Sequence, residues 1–265
     1  MCGVSVNKGI SFYFGYNINY KERARMIKEA GFDCVIANAD KNFNHQNGPI
    51  KKQIKEFKKQ GLKLSSLHMR YSDTDLKHFF YDDKIGDKLE KTIKKDLKLA
   101  KKYGFTCVVV HLKEEVTEVG LNRLKRILTL CEKLDVPIAI ENIDYLAVFK
   151  EVFEKIDNKY LRFCYDSGHN HCFDSYYDYF ENYGDKLICL HLHDNDGSDD
   201  QHTLNKLGDI DWKEIAKKLA KCNEVNLDYE LLMCVKGGYK AKEALDECYK
   251  QACELENLIL KYKDL

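Results

Sequence analysis

Eight short apolar runs, each followed by a longer charged amphipathic stretch, constrain this chain more than any other feature. The runs are SFYFG (11–15), FDCVIAN (32–38), LKLSSLH (62–68), FTCVVVH (105–111), VPIAIE (136–141), LRFCYD (161–166), KLICLH (186–191) and VNLDYELL (225–232). Between them lie helical patterns, clearest over 83–103, where Leu89, Ile93, Leu97 and Ala100 recur at helical spacing. Gly31, Gly61 and Gly104 stand where helices end before strands, the expected left-handed caps. Alternating strands and helices imply parallel pairing with right-handed crossovers. Eight units in 265 residues predict one α/β domain over 1–265, a closed (β/α)8 TIM barrel with its site at the C-terminal ends of the strands. No GxGxxG follows the first run, which argues against a dinucleotide-binding sheet.

Composition narrows the function classes. Lys plus Arg and Asp plus Glu are both 43, so net charge gives no pull toward nucleic acid or an anionic membrane, although a local basic patch is compatible with it. No apolar run approaches the roughly 18–20 residues that span a bilayer, and the first ten residues lack a signal-peptide core. The 11 Cys are scattered, form no CxxC and mostly sit in apolar runs, which fits reduced, buried thiols of a cytoplasmic protein.

Six ligand-type side chains end six of the runs: His68, His111, Glu141, Asp166, His191 and Glu230, at spacings of 43, 30, 25, 25 and 39 residues. A barrel brings all six to one rim, and mixed Glu, Asp and His there describe a divalent metal site. The segment after the seventh run adds His193, Asp194, Asp196, Asp199, Asp200 and His202. His191 and His193 point the same way along a strand, so either can be the inward ligand; His191 is preferred because His193 already enters the loop. Asp166-Ser-Gly-His169 sets a carboxylate and an imidazole on one turn, although Asp166 could equally cap a helix. Lys113 follows the fourth strand as a polar contact, and Lys236-Gly237-Gly238 is a possible phosphate handle after the eighth. Tyr13, Phe14, Tyr71, Tyr165 and Trp212 lie near strand ends or loops and are candidate pocket walls.

On these residues the chain resembles the xylose isomerase-like barrel superfamily, which includes sugar isomerases and epimerases and the endonuclease IV family. The resemblance implies one Mn, Zn, Co or Mg ion on Glu141, Asp166, His191 and Glu230. It implies catalysis by Glu141, Glu230 and His169, with substrate contacts from His68, His111, Lys113 and Trp212. The expected reaction is proton transfer next to the carbonyl of a sugar or sugar phosphate through an enediolate, in a possible homo-oligomer and away from membranes. The endonuclease IV branch implies instead up to three zinc ions, with His68, His111, His169, Asp200 and His202 as further ligands, and abasic DNA as substrate. That branch's loop arginines are absent here: Gly197-Ser-Asp-Asp-Gln-His202 carries aspartates in their place. This favours the sugar branch and makes nucleic acid the less expected partner.

Overall fold

The computed structural model describes residues 6–39, 48–70, 76–233 and 236–263. Eight parallel strands alternate with helices. They are β1 (Lys8–Ser11), β2 (Cys34–Asn38), β3 (Lys63–His68), β4 (Cys107–Val110), β5 (Ile138–Glu141), β6 (Leu161–Asp166), β7 (Leu187–His191) and β8 (Leu227–Tyr229). The helices are α1 (Tyr20–Glu29), α2 (Ile50–Gln60), α3 (Lys84–Tyr103), α4 (Glu118–Leu134), α5 (Leu146–Lys155), α6 (Ser167–Phe173), α7 (Tyr179–Tyr183), α8 (Trp212–Ala220) and α9 (Ala241–Lys263). Strands pair in sequence order from β1 to β7, and β8 pairs with β1. A bridge between Leu192 and Tyr229 closes the ring: Leu192 N donates to Asp228 O at 2.9 Å and Glu230 N to Leu192 O at 3.0 Å.

Strand parity positions the site. In β4, Val108 and Val110 join the layer between sheet and helices, whereas Cys107 and Val109 fill the barrel interior with Ala139, Cys164 and Cys189. Side chains two residues further along face the same way. Hence Val109 leads to His111, Ala139 to Glu141, Cys164 to Asp166 and Cys189 to His191, all at one rim. Between Leu64 and Leu67 two residues of β3, Ser65 and Ser66, oppose one of β2, Ile36, a bulge that changes parity. Both Ser65 and His68 therefore make interior contacts: Ser65 with Asp228, His68 with Glu141.

Two expectations needed correction. The first strand is Lys8–Ser11, not the aromatic run 11–15; Phe12 and Phe14 are buried beyond the paired segment. Lys8 joins the strand because its ammonium is matched by Glu256 at 2.7 Å. The eighth strand is only three residues, with Glu230 just past it. Gly61 and Gly104 do take left-handed caps on α2 and α3. The nine described cysteines are free and six of them are buried; Cys2, Cys234 and Tyr71 fall outside the described residues. Among the described residues no helix is long and apolar enough to cross a membrane.

Candidate metal centre

At the C-terminal rim, Glu141, Asp166, His191 and Glu230 offer four ligand atoms within 4.8 Å of one another. Two further sets meet the same test: His68 with Glu141 and His191, and His169 with Asp200 and His202. Glu141 is the hub. Its Oε2 lies 2.9 Å from His111 Nε2, 3.1 Å from His191 Nδ1 and 3.4 Å from His68 Nε2, while Oε1 lies 3.2 Å from His169 Nδ1. His191 Nδ1 is also 3.1 Å from Glu230 Oε2, so carboxylates from β5 and β8 meet at one imidazole.

Surrounding bonds aim these groups. His68 Nδ1 donates to Met69 O (2.7 Å), His169 Nδ1 to Asn142 O (3.0 Å) and His202 Nδ1 to Glu230 O (2.9 Å). Each bond leaves the Nε2 lone pair directed at the centre, the usual way a protein orients metal-binding imidazoles. His202 holds φ +47, a left-handed conformation uncommon outside glycine and maintained here by its bonds to the β8 loop. Asp166 is both strand end and helix cap: one oxygen accepts from His169 N at 2.7 Å, and both face His193 Nε2 at 3.0 and 3.2 Å. The cap on α6 and a place in the rim cluster are thus compatible in one side chain.

The donor set fits a divalent ion. Burial works against charge here, yet three of the carboxyls, Glu141, Glu230 and Asp200, are held below their ordinary range. Burial pulls the Glu141 carboxyl up, but His191 and His111 overcome this and hold it well below the usual range. Glu230 and Asp200 are likewise depressed against burial, by His191 and by His169 with His202. His191 is raised well above an ordinary imidazole, because Glu141 and Glu230 outweigh its burial. His202 is pushed up to about 9, against burial, by Asp200. Both His191 ring nitrogens and Asp200 Oδ1 are buried without a hydrogen-bond partner, although carboxylate and imidazole atoms lie close by. Short approaches that make no hydrogen bond are what ligands of a shared cation show.

Several further residues organise the centre. Asn142 side chain and Asp166 backbone exchange two bonds of 2.7 and 2.9 Å. His193 is fully buried between Asp166 and His202, whose ring it stacks on at 3.9 Å. It faces inward like His191, but toward the Asp166–Asp200 side of the site. Gly168 makes room for it, since a Cβ there would fall on the His193 ring. Asp194 folds the β7 loop by accepting from Lys206 N, Ile210 N and Trp212 Nε1 at 2.9, 3.1 and 2.8 Å. Trp212 is thus an anchor. Its ring borders a shallow outer cleft with Lys206, Ile210 and Leu258, and the structure does not bring it to the rim cluster.

Two cavities flank the cluster. One, about 250 Å³, is lined by His68, His111, Lys113, Asp144, His169 and Phe173 among others. The other, about 90 Å³, is walled by Phe12, Tyr13, Ile36, Leu231 and Leu232. Glu230 and His202 border both. Phe14 and Tyr165 are core residues, Tyr165 donating to Asn170 at 3.1 Å. Lys236 is tied to Asp196 (3.3 Å) and Gln201 (3.1 Å) of the β7 loop.

Comparisons with known proteins agree with this architecture. Residues 24–250 match the family described as xylose isomerase-like TIM barrel. The chain is 34% identical to the uncharacterized protein y4fM of Sinorhizobium fredii over 100 residues, covering 35% of this chain and 32% of the other. It is 28% identical to the uncharacterized protein MJ1614 of Methanocaldococcus jannaschii over 172 residues, covering 63% and 65%. It thus spans less than two thirds of the length of these curated relatives. Among solved structures, a D-tagatose 3-epimerase-like protein superposes with TM-score 0.74 at 18% identity over 97% of this chain and 98% of that one. The IOLI protein with a bound zinc atom gives 0.73 at 16% over 98% and 100%. The 3-keto-D-glucoside 4-epimerase YcjR of E. coli gives 0.68 at 15% over 96% and 100%. At these identities the structural likeness speaks for the fold. Together with the match over residues 24–250, it places the chain in the xylose isomerase-like TIM barrel family.

Proposed function

We propose that this protein is a metal-dependent isomerase or epimerase of a sugar or sugar phosphate. The observation that carries this reading is the convergence of Glu141 and Glu230, from different strands, on His191 Nδ1 at 3.1 Å each. Glu141, Asp166, His191 and Glu230 would hold a divalent ion, which would supply Lewis-acid polarisation of a carbonyl oxygen. The chain's own groups do the proton work. Glu141 is 1% exposed and Glu230 23%, they come from different strands, and both line the larger cavity, within reach of a bound substrate. One carboxylate takes the proton from the carbon next to the carbonyl, leaving an enediolate, and the other, once it has taken up a proton from solvent, delivers it to the opposite face. Lys113 and His169, on the wall of that cavity, hold hydroxyls or a phosphate. The apolar cavity beyond Glu230 receives the less polar edge of the substrate. At about 250 Å³ the larger cavity is just under the roughly 300–1,000 Å³ of drug-sized sites, a size suited to a monosaccharide.

The test is turnover of free ketoses and their phosphates in D2O by ion-loaded protein, read as deuterium at the carbon next to the carbonyl. Glu230→Gln is expected to lower kcat by about 10²–10⁴-fold with the ion retained. Full turnover in that variant sinks the reading. A second reading draws support from His169, Asp200 and His202 beside the first cluster, a set able to hold another ion. It is hydrolysis of a phosphodiester by several zinc ions. Metal analysis separates the two: about one ion per chain supports the sugar enzyme, and two or three zinc ions direct the first assay to phosphodiester cleavage.

A further inference from the structure

The balanced net charge conceals a segregated one. Residues 1–134 hold 27 of the 43 Lys and Arg but only 16 of the 43 Asp and Glu. Much of this surplus stands on α2 and α3. Lys84, Lys88, Lys91, Lys95, Lys98 and Lys102 recur every three or four residues and are all exposed, so they form one straight stripe along α3. At 1.5 Å per residue the stripe runs about 27 Å, with a lysine every ~5.4 Å. Lys51, Lys52, Lys55, Lys58 and Lys59 of α2 are exposed as well. The two helices adjoin at Tyr103, whose ring lies 5.8 Å from Lys58 Nζ and 5.5 Å from Lys102 Nζ.

An ordinary solvated helix face looks different, and this protein supplies the comparison. On α9, Lys242 pairs with Asp246 at 2.5 Å and Lys250 with Glu247 at 3.3 Å. On α1, Arg25 pairs with Glu22 and Glu29; on α8, Lys217 pairs with Glu214. Among the described residues none of the six stripe lysines makes an ion pair. The acids of α3 are directed elsewhere: Asp87 to the buried Arg123, and Glu90 to Lys94 and Arg126. Asp96 has a buried oxygen, and burial pushes it up to about 7, which weakens the one acid beside the stripe.

The geometry points to a docking surface for the sugar–phosphate backbone of a nucleic acid on the outer wall formed by α2 and α3. A straight row of like charges matches a linear polyanion, which carries one phosphate per ~3.4 Å along each strand. Lysine without arginine gives point-charge contacts to phosphate and little means of reading bases, so the binding is independent of sequence. The wall lies outside the barrel, and binding there neither requires nor implies turnover at the rim.

The experiment is fluorescence anisotropy of the full chain with labelled duplex DNA and with labelled single-stranded RNA of about 20 residues, between 50 and 200 mM salt. About six phosphate contacts predict a loss of affinity of roughly 10³-fold across that range for duplex. Lys91→Ala/Lys95→Ala/Lys98→Ala is expected to flatten the log–log salt slope by about 2–3, with an unchanged melting temperature. Lys242→Ala/Lys250→Ala/Lys261→Ala on α9 is expected to bind as the parent does. The inference is overturned if neither nucleic acid binds, if both variants lose equally, or if only phosphatidylserine vesicles bind at the same salt.

Discussion

The rim and the α3 wall both crowd ionisable groups together, and they resolve the crowding in opposite ways. At the rim, Glu141, Asp166, Asp200 and Glu230 are interleaved with six imidazoles, and all of them are buried or half-buried. On the wall, lysines stand beside lysines and solvent screens them. Out of water each charge needs a partner within a few ångströms; in water like charges can be neighbours at small cost. The difference separates a cluster able to hold a cation from the surface proposed above for a polyanion.

The largest expected effect comes from breaking the rim at its hub. Glu141→Gln removes the charge that faces four imidazoles. We expect the ion to be lost on dialysis and proton exchange on a confirmed substrate to fall by at least about 10²-fold; wild-type metal content in the variant speaks against the assigned ligand set. Chelation of the ion-loaded protein comes next. An ion present at about 100 times its Kd stabilises by about 2.7 kcal/mol, so EDTA should lower Tm by several degrees, and an unchanged Tm leaves the rim without a tightly held ion. Gly168→Ala tests whether the His193 ring has room to give. The added methyl is expected to cost about 1–3 kcal/mol in urea denaturation.

Asp96 sharpens the comparison, because it is a half-buried acid on the wall whose burial is offset only in part, by Lys95. Its folded pKa is about 7, above the ordinary carboxyl value, so the folded state binds its proton more tightly. Above pH 7 both folded and unfolded chains hold the ionised form, and folding bears the full penalty. As pH falls from 7 toward 4 the folded chain takes up the proton first and the penalty disappears. Asp96→Asn should therefore stabilise at pH 8 by about 1–2 kcal/mol, less than the full shift implies because solvent reaches part of the group. The gain should shrink progressively below pH 7, and a gain independent of pH would assign it to some other cause. Single alanine substitutions in the lysine stripe should move stability by less than about 0.5 kcal/mol in either direction.

How far the site could be read in advance depended on the range of the forces involved. The ligand spacing was legible because strand parity and barrel closure carry it from local pattern to one rim. The first strand was not, since the ammonium of the buried Lys8 is matched by Glu256, distant in sequence but 2.7 Å away in space. Helix α6 went unseen because seven residues, SGHNHCF, show no apolar period; its start depends on the Asp166 cap. Trp212 read as a pocket wall, but it is held by Asp194 through a loop whose shape rests on side chain-to-backbone bonds. Such bonds leave no periodicity behind. His193 was placed second to His191, and what distinguishes its surroundings, the missing Cβ of Gly168, comes from another loop.

The barrel's closure has one more consequence. Between β7 and β8 the sheet is joined by a single bridge, Leu192 to Tyr229, with two backbone bonds. His191 and Glu230 stand on either side of that seam, immediately beside those bonds. A cation gripping both would act as a rivet across the weakest joint of the ring. Opening of the seam, read by hydrogen exchange at Leu192 and Glu230 amides, would then slow with metal loading far more than exchange in the β3–β4 wall opposite.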